Sequence, residues 1–418
     1  MFKKINKFFA KIVIIFIKAY QYTLSPDKWL PSFWLKGRVC AHEPHCSKYS
    51  IQVLKRYGFW PGIFYATDRV LHCTASTHKH YDPAHYRIVF FSSAPIGVPF
   101  LKQLAKDKRF EVVWVVTQYD KPAGRWMSMC ENIIKKEAKH IFWNHLENSS
   151  KFISTPTKLN PEKPVPYGTT GSEEGKQFAE RLTEKRPDML VVIAYGKIIP
   201  QAILDIPKIA PINIHWSLLP KYRGASPIQS TLLNNDKETG ITIMKMDATM
   251  DTGNMIDILR FRIPFTWTTK ELIEEMKKIG PKFLNNTLRK YGKKILGEVK
   301  QDNDKANYCG KIEKESWLID PRKDSIETIY NKYRAFALRP KIYFMFPPLV
   351  EKSDHKNNEK AKRIIIETLE IDEAIYNSND EVPLFKDKTL HPAVVNITLK
   401  PEGKKAMPRK EFLNWYIK

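Results

Sequence analysis

The sequence predicts an α/β protein in three parts: a parallel-sheet domain over residues 87–296, a small basic helical segment before it (1–86), and a small β-rich segment after it (297–418). Three observations lead there. From Arg87 onward, apolar strand-type runs alternate with helix-type runs, the pattern of a parallel sheet with crossover helices. The first 86 residues hold thirteen Lys and Arg against four Asp and Glu, a net +9, and are rich in aromatic residues. From Gly297, short β-type runs sit between polar loops. A chain of 418 residues also exceeds one compact core, so two or three domains are expected.

Composition bounds the function. Hydrophobic residues make up 43% and charged residues 27%, values of a folded chain rather than a disordered one. The net charge is +24, which favours a polyanionic partner, either nucleic acid or an anionic membrane. The five cysteines, Cys40, Cys46, Cys73, Cys130 and Cys309, are odd in number and scattered, unlike a secreted disulfide framework, so a reducing cytoplasm is expected.

In the first segment, Lys4, Lys7, Lys11 and Lys18 fall on one narrow helical face at 100° per residue. Phe8, Phe9, Ile12, Val13, Phe16 and Ile17 fill much of the remaining surface. That amphipathic pattern suits a helix lying in the interface of an anionic membrane, and equally a helix packed on its own domain with a solvated Lys face. The apolar run Ile12–Ile17 is too short to span a bilayer, which needs roughly 20 apolar residues, and no small-residue cleavage site follows it. Further on come Tyr20-Gln21-Tyr22-Thr23-Leu24-Ser25-Pro26, then Cys40, then Cys46-Ser47-Lys48-Tyr49, Arg69-Val70-Leu71-His72-Cys73 and Asp82-Pro83. Over residues 10–86 these elements resemble the membrane protein insertion efficiency factor family. The resemblance implies a small membrane-associated domain that assists insertion of membrane proteins and has no established catalytic chemistry. Cys40, Cys46 and Cys73 lie near His42, His45, His72, His78 and His80, but a C-x5-C spacing is a poor match to structural zinc sites, and no metal is expected.

The second segment opens on Arg87-Ile88-Val89-Phe90-Phe91-Ser92-Ser93, a buried-type strand that runs through a small-residue turn into a helix containing Phe100 and Leu104. Further strands are predicted at Glu111–Gln118, Met189–Ala194 and Ile212–His215. No G-x-G-x-x-G follows the first strand, which disfavours a nicotinamide enzyme. Ligands of open α/β sheets bind at the carboxyl ends of the strands, which here carry Ser92-Ser93, Asp120, Tyr195-Gly196 and His215.

Asn213 and His215 are two apart in a strand and therefore share a face, with Ile212 and Ile214 opposite. Such a pair suits acyl transfer. A neutral His can take a proton from an attacking amine, and an Asn amide can donate to the oxyanion of a tetrahedral intermediate. A carboxylate such as Asp251 can orient the imidazole and stabilise its protonated form. A lone strand His is more often structural, so the surrounding sequence decides.

Residues 213–229 read Asn-Ile-His-Trp-Ser-Leu-Leu-Pro-Lys-Tyr-Arg-Gly-Ala-Ser-Pro-Ile-Gln, and residues 238–253 read Glu-Thr-Gly-Ile-Thr-Ile-Met-Lys-Met-Asp-Ala-Thr-Met-Asp-Thr-Gly. Together they resemble the two-part signature of folate-dependent formyltransferases. The resemblance implies a Rossmann-like fold, 10-formyltetrahydrofolate as co-substrate, Asn213, His215 and Asp251 as the catalytic trio, and folate contacts from Ser217, Leu218, Leu219 and Pro220. Thr117-Gln118-Tyr119-Asp120-Lys121-Pro122-Ala123-Gly124-Arg125 and Val191-Val192-Ile193-Ala194-Tyr195-Gly196-Lys197-Ile198-Ile199-Pro200 are similar to elements of the methionyl-tRNA formyltransferase family. So are Lys311-Ile312, Ile319-Asp320, Arg334-Ala335-Phe336, Gly403-Lys404-Lys405-Ala406-Met407 and Phe412-Leu413-Asn414. That resemblance implies formyl transfer to the α-amine of initiator methionyl-tRNA in translation initiation. It also implies a C-terminal OB-like β-barrel over 297–418 that helps bind tRNA, and a tRNA contact at Arg125. The basic charge would then neutralise RNA phosphates.

The chain departs from the family pattern at Ser92-Ser93-Ala94, at Trp216, at Trp126-Met127-Ser128 where basic residues are usual, at Arg339, and in a longer stretch over 141–171. Two alternatives compete with tRNA formylation: a sugar-nucleotide formyltransferase, and a membrane-associated accessory protein with a relic enzyme domain. A monomer located in the cytoplasm, peripherally on the inner face of the cell membrane, completes the expectation.

Overall fold

The computed structural model describes residues 2–23, 42–71, 80–118, 121–123, 128–142, 152–154, 173–338, 341–346, 362–376, 384–386 and 389–416. The chain divides into two compact units, one of residues 1–213 with 281–298, the other of 214–280 with 299–418.

The first unit begins with three helices, α1 (Phe2–Thr23), α2 (Cys46–Tyr57) and α3 (Phe59–Leu71). α1 lays Ala10 and Ile14 against Leu54 of α2, with Val13 and Ile17 beside them. Its opposite side is left open, and Phe8 and Phe16 are 61% and 69% exposed. The broad apolar surface read in the sequence is thus divided: one part packs on the chain's own helices, and the rest faces outward with Lys7, Lys11 and Lys18. α2 and α3 approach closely at Gly62, where an added Cβ would lie 2.8 Å from the Leu54 Cα.

Motif residues of this segment meet in space. Gln21 Nε2 donates to Ser47 Oγ at 2.9 Å. The Arg69 guanidinium is buried, stacks 4.0 Å over the Tyr49 ring, and donates to the carbonyls of Pro44 and Asp82. Arg69 thereby bridges the residues that follow the two short paired strands His42–Glu43 and His80–Tyr81.

The same unit then builds five parallel strands: β1 (Tyr86–Ser92), β2 (Phe110–Thr117), β3 (Phe152–Ser154), β4 (Met189–Ile193) and β5 (Ala210–His215). Their order is β3-β2-β1-β4-β5. This is the doubly wound Rossmann-like order, with the topological switch between β1 and β4. The strands are near-continuous apolar runs because both sheet faces are covered. Ile88, Val89, Phe90, Leu190, Val191 and Ile212 are fully buried.

The N-terminal helices attach where these strands begin. Arg56 donates to the carbonyls of Lys108 and Phe110, and the Tyr57 hydroxyl to those of Lys108 and Ala84. Lys208 pairs with Glu43 at 2.8 Å and sits 3.5 Å over the Tyr81 ring. The carboxyl ends of the strands, where ligands bind in such sheets, are at the other edge.

The second unit contains an antiparallel hairpin of β6 (Glu238–Lys245) and β7 (Met255–Arg262). It also contains a C-terminal antiparallel sheet of β8 (Tyr343–Phe346), β9 (Lys362–Ile371), β10 (Val394–Pro401) and β11 (Met407–Pro408), in that order. As expected of a small β domain, the described residues of this segment form this four-stranded sheet, with register shifts in the pairing of β9 and β10, and a two-stranded pair of Phe385–Lys386 with Thr389–Leu390. Helix Ile326–Ala335 ends in the Arg-Ala-Phe element. Arg334 is buried there, its Nε donating to the Trp267 carbonyl at 2.8 Å, so this element is a packing joint. No helix among the described residues is long and apolar enough to cross a membrane.

Candidate active site

The carboxyl ends of β1, β2 and β4 carry polar residues, as the sequence indicates. The backbone N–H of Gln118 donates to the Ser93 hydroxyl oxygen at 2.9 Å, and its Nε2 donates to the Tyr195 carbonyl at 2.6 Å. The chain turns sharply here through Ala194 and Gly196, both with positive φ (45° and 74°). Asp120, Arg125, Trp126, Met127, Arg339, Cys40 and Cys73 lie outside the described residues.

β5 carries Asn213 and His215 on one face, by strand alternation. His215 is 4% exposed. Its Nε2 is 2.8 Å from the Tyr222 carbonyl oxygen, which can only accept, so Nε2 carries the proton. Its Nδ1 faces Asp251 Oδ2 at 3.5 Å. The Tyr222 carbonyl orients the ring through Nε2, and the basic nitrogen faces the Asp251 carboxylate. Burial pushes the His215 pKa below its ordinary value, and the Asp251 charge opposes that shift. The imidazole therefore stays neutral and able to accept a proton.

Asp251 adopts φ +56°, a left-handed conformation that Asp tolerates better than most residues. The backbone N–H of Gly224 donates to its Oδ2 at 2.9 Å. Gly224 has φ +120°, and a Cβ there would sit 2.2 Å from the Cys309 carbonyl oxygen, so no side chain fits. Residues 223–224 pair in parallel with Tyr308–Cys309. The Cys309 thiol shares the Tyr222 carbonyl with His215, at 3.4 Å.

In the loop at 217–220, Ser217 and Leu219 are buried, while Leu218 and Pro220 are half-buried. The Ser217 hydroxyl donates to the Lys221 carbonyl at 2.5 Å, so it is used inside the loop. Thr242 on β6 fastens the loop from below: its hydroxyl donates to the Ser217 carbonyl at 2.7 Å and accepts the Leu219 N–H at 3.2 Å. Trp216, the unusual neighbour of His215, is buried.

Sequence reasoning passed over Tyr222, Thr242, Gln301, Tyr308 and Cys309, and gave Arg223 and Gly224 no role. Tyr222, Arg223, Gly224 and Thr242 stand inside the quoted motifs, and that was the available signal. Among the described residues, no group of three or more His, Cys, Asp and Glu is placed to hold a metal ion.

A neutral buried imidazole beside a carboxylate can take a proton from an attacking amine in acyl transfer. Residues 86–288 match the family model described as "Formyl transferase". Residues 9–85 match the one described as "Putative membrane protein insertion efficiency factor". The chain is 33% identical over 330 residues to the methionyl-tRNA formyltransferase of Caldicellulosiruptor saccharolyticus, covering 79% of this chain and 96% of that protein. It is 38% identical over 242 residues to that of Methylacidiphilum infernorum, covering 58% of this chain and 68% of that protein. A solved N-formyltransferase from Helicobacter canadensis superposes with a TM-score of 0.46 at 19% identity, over 69% of this chain and 89% of that one. The chain belongs to the methionyl-tRNA formyltransferase family.

Proposed function

We propose that this protein transfers the formyl group of 10-formyltetrahydrofolate to the α-amine of initiator methionyl-tRNA. The pairing of the buried His215, through Nδ1, with Asp251 at 3.5 Å within the matched region carries this reading. His215 takes a proton from the amine as its nitrogen bonds to the formyl carbon. Asn213 donates to the oxyanion that forms on the formyl oxygen. Asp251 stabilises the imidazolium, which then returns the proton to the folate nitrogen as the carbon–nitrogen bond to folate breaks. The partly open Leu218 and Pro220 give the loop at 217–220 an apolar edge suited to a flat ring system. Arg125 and the basic charge of the chain serve tRNA binding.

The outward side of α1, with Phe8, Phe9, Ile15 and Phe16 exposed beside Lys7, Lys11 and Lys18, supports peripheral binding to an anionic membrane on its inner face. We take the enzyme as a monomer with three segments, 1–86, 87–296 and 297–418.

The deciding assay supplies the purified full chain with 10-formyltetrahydrofolate and charged initiator tRNA. Formylmethionyl-tRNA is the expected product. No product, with turnover on an amino sugar nucleotide, overturns the acceptor assignment. Flotation on vesicles of anionic and neutral lipid tests the membrane part, with binding expected to the anionic vesicles alone.

A further inference from the structure

We infer that Gln301, held in turn by Arg223, is a positioning residue that sets Asp251 against His215; the inference rests on the catalytic reading given above. Gln301 is 4% exposed, and its amide nitrogen donates to two carbonyls of one turn, Asp251 at 2.8 Å and Gly253 at 2.7 Å. A single side chain thus fixes both ends of the turn that carries the Asp251 carboxylate. Two bonds from one amide also help hold Asp251 in its left-handed conformation, which is unfavourable for a non-glycine residue.

The other end of Gln301 is fixed as well. Its Oε1 accepts from Arg223 Nε at 3.0 Å. Arg223 is 2% exposed, and its remaining nitrogens donate to the Tyr308 hydroxyl at 3.2 Å and to Asn303 Oδ1 at 2.9 Å. The next residue, Gly224, gives its N–H to the Asp251 carboxylate. Asp251 is therefore held twice by one structure, its side chain through Gly224 and its backbone through Gln301, and Arg223 links the two holds. Glu in place of Gln301 keeps the length and the acceptor for Arg223 but has no N–H for the two carbonyls. The turn then loses both donors, and the carboxylate is freed to leave the 3.5 Å approach to His215.

The test compares Gln301→Glu, Gln301→Ala and Asp251→Asn in the full chain, with formylation measured against pH. Both Gln301 variants are expected to lose kcat by up to about 100-fold, with KM for tRNA and folate within about twofold, because a misplacement near 1 Å costs that much. The acidic limb of the kcat profile is expected at lower pH in both, as in Asp251→Asn, since the group that supports the imidazolium has moved. A position of that limb does not depend on how much of a preparation is folded, so lower stability cannot imitate it. Unchanged kcat and an unchanged acidic limb in the Gln301 variants, with Asp251→Asn impaired, overturn the positioning role alone. An unimpaired Asp251→Asn overturns the catalytic reading beneath it.

Discussion

The hydroxyl of Tyr81, in the last part of the insertion-factor-like segment, donates to the carboxylate of Asp188, at the start of a central strand of the catalytic sheet. Asp188 is 2% exposed, and its second oxygen accepts the backbone N–H of Arg87 at 2.7 Å. One buried carboxyl thus joins the segment before residue 86 to two neighbouring strands. Tyr81→Phe removes a donor to a buried acid and is expected to lower stability by about 1–3 kcal/mol. Chemical denaturation of the full chain measures it; an unchanged midpoint refutes the joint.

Asp188 also makes stability depend on pH. Burial holds its carboxyl above the ordinary range, against the bonds from Tyr81 and Arg87 that lower it. The folded chain therefore binds this proton more tightly than the unfolded chain. Its contribution is full below the ordinary carboxylate pKa and is lost as pH rises through the raised value. Asp188→Asn keeps an acceptor and has no charge to bury. Its melting temperature is expected to fall less than that of the parent between about pH 4 and pH 7; parallel curves would rule out the effect.

His215→Ala removes the proposed base. The expected loss is roughly 10²–10⁴-fold in kcat on methionyl-tRNA. In the parent, the lowered His215 pKa keeps the ring neutral well into mildly acid solution, so the acidic limb of activity lies below the ordinary histidine range. Near-normal turnover by the Ala variant removes His215 from the chemistry.

Thr242→Val keeps shape but loses both bonds to the loop at 217–220. A buried carbonyl and a buried N–H are left unpaired, at a cost of about 1–3 kcal/mol. The KM for the formyl donor is expected to rise more than the KM for tRNA. Equal changes in both place the loop away from the folate.

Gly224→Ala forces a left-handed backbone on a residue whose Cβ meets the Cys309 carbonyl. Strain of about 1–3 kcal/mol is expected, with loss of activity as the N–H leaves Asp251. Activity assays at a temperature where the variant stays folded separate the two effects.

β1, β2, β4 and β5 were legible because each is a short apolar run ending in small or polar residues, as at Ser92 and His215, whereas the three-residue β3 (Phe152–Ser154) is too short to show a pattern. The meeting of His215 with Asp251 was foreshadowed by their motifs. What held them was hidden. Gln301 lies 50 positions from Asp251 and reads as one more polar residue in a polar stretch, so only folding reveals its two carbonyl partners. The tautomer of His215 was hidden for the same reason, since it depends on a backbone carbonyl that any residue at 222 supplies. The hairpin β6–β7 was missed because Glu238–Lys245 was read for its motif and not for its alternation. On α1, periodicity found the Lys side and a broad apolar surface that includes Val13 and Ile17, but not Ala10 and Ile14, the residues that pack on Leu54, because nothing within the helix says which part meets α2.

The pairing of Arg223–Gly224 with Tyr308–Cys309 governs how this chain can be cut and recombined. A fragment ending near residue 296 contains every catalytic motif yet lacks Gln301, Asn303, Tyr308 and Cys309. A chimera that takes its last third from another formyltransferase brings in a foreign support for its own aspartate. The unit that can be exchanged without touching the chemistry begins after Cys309, and swaps made there should yield working hybrids where swaps at the helix end do not.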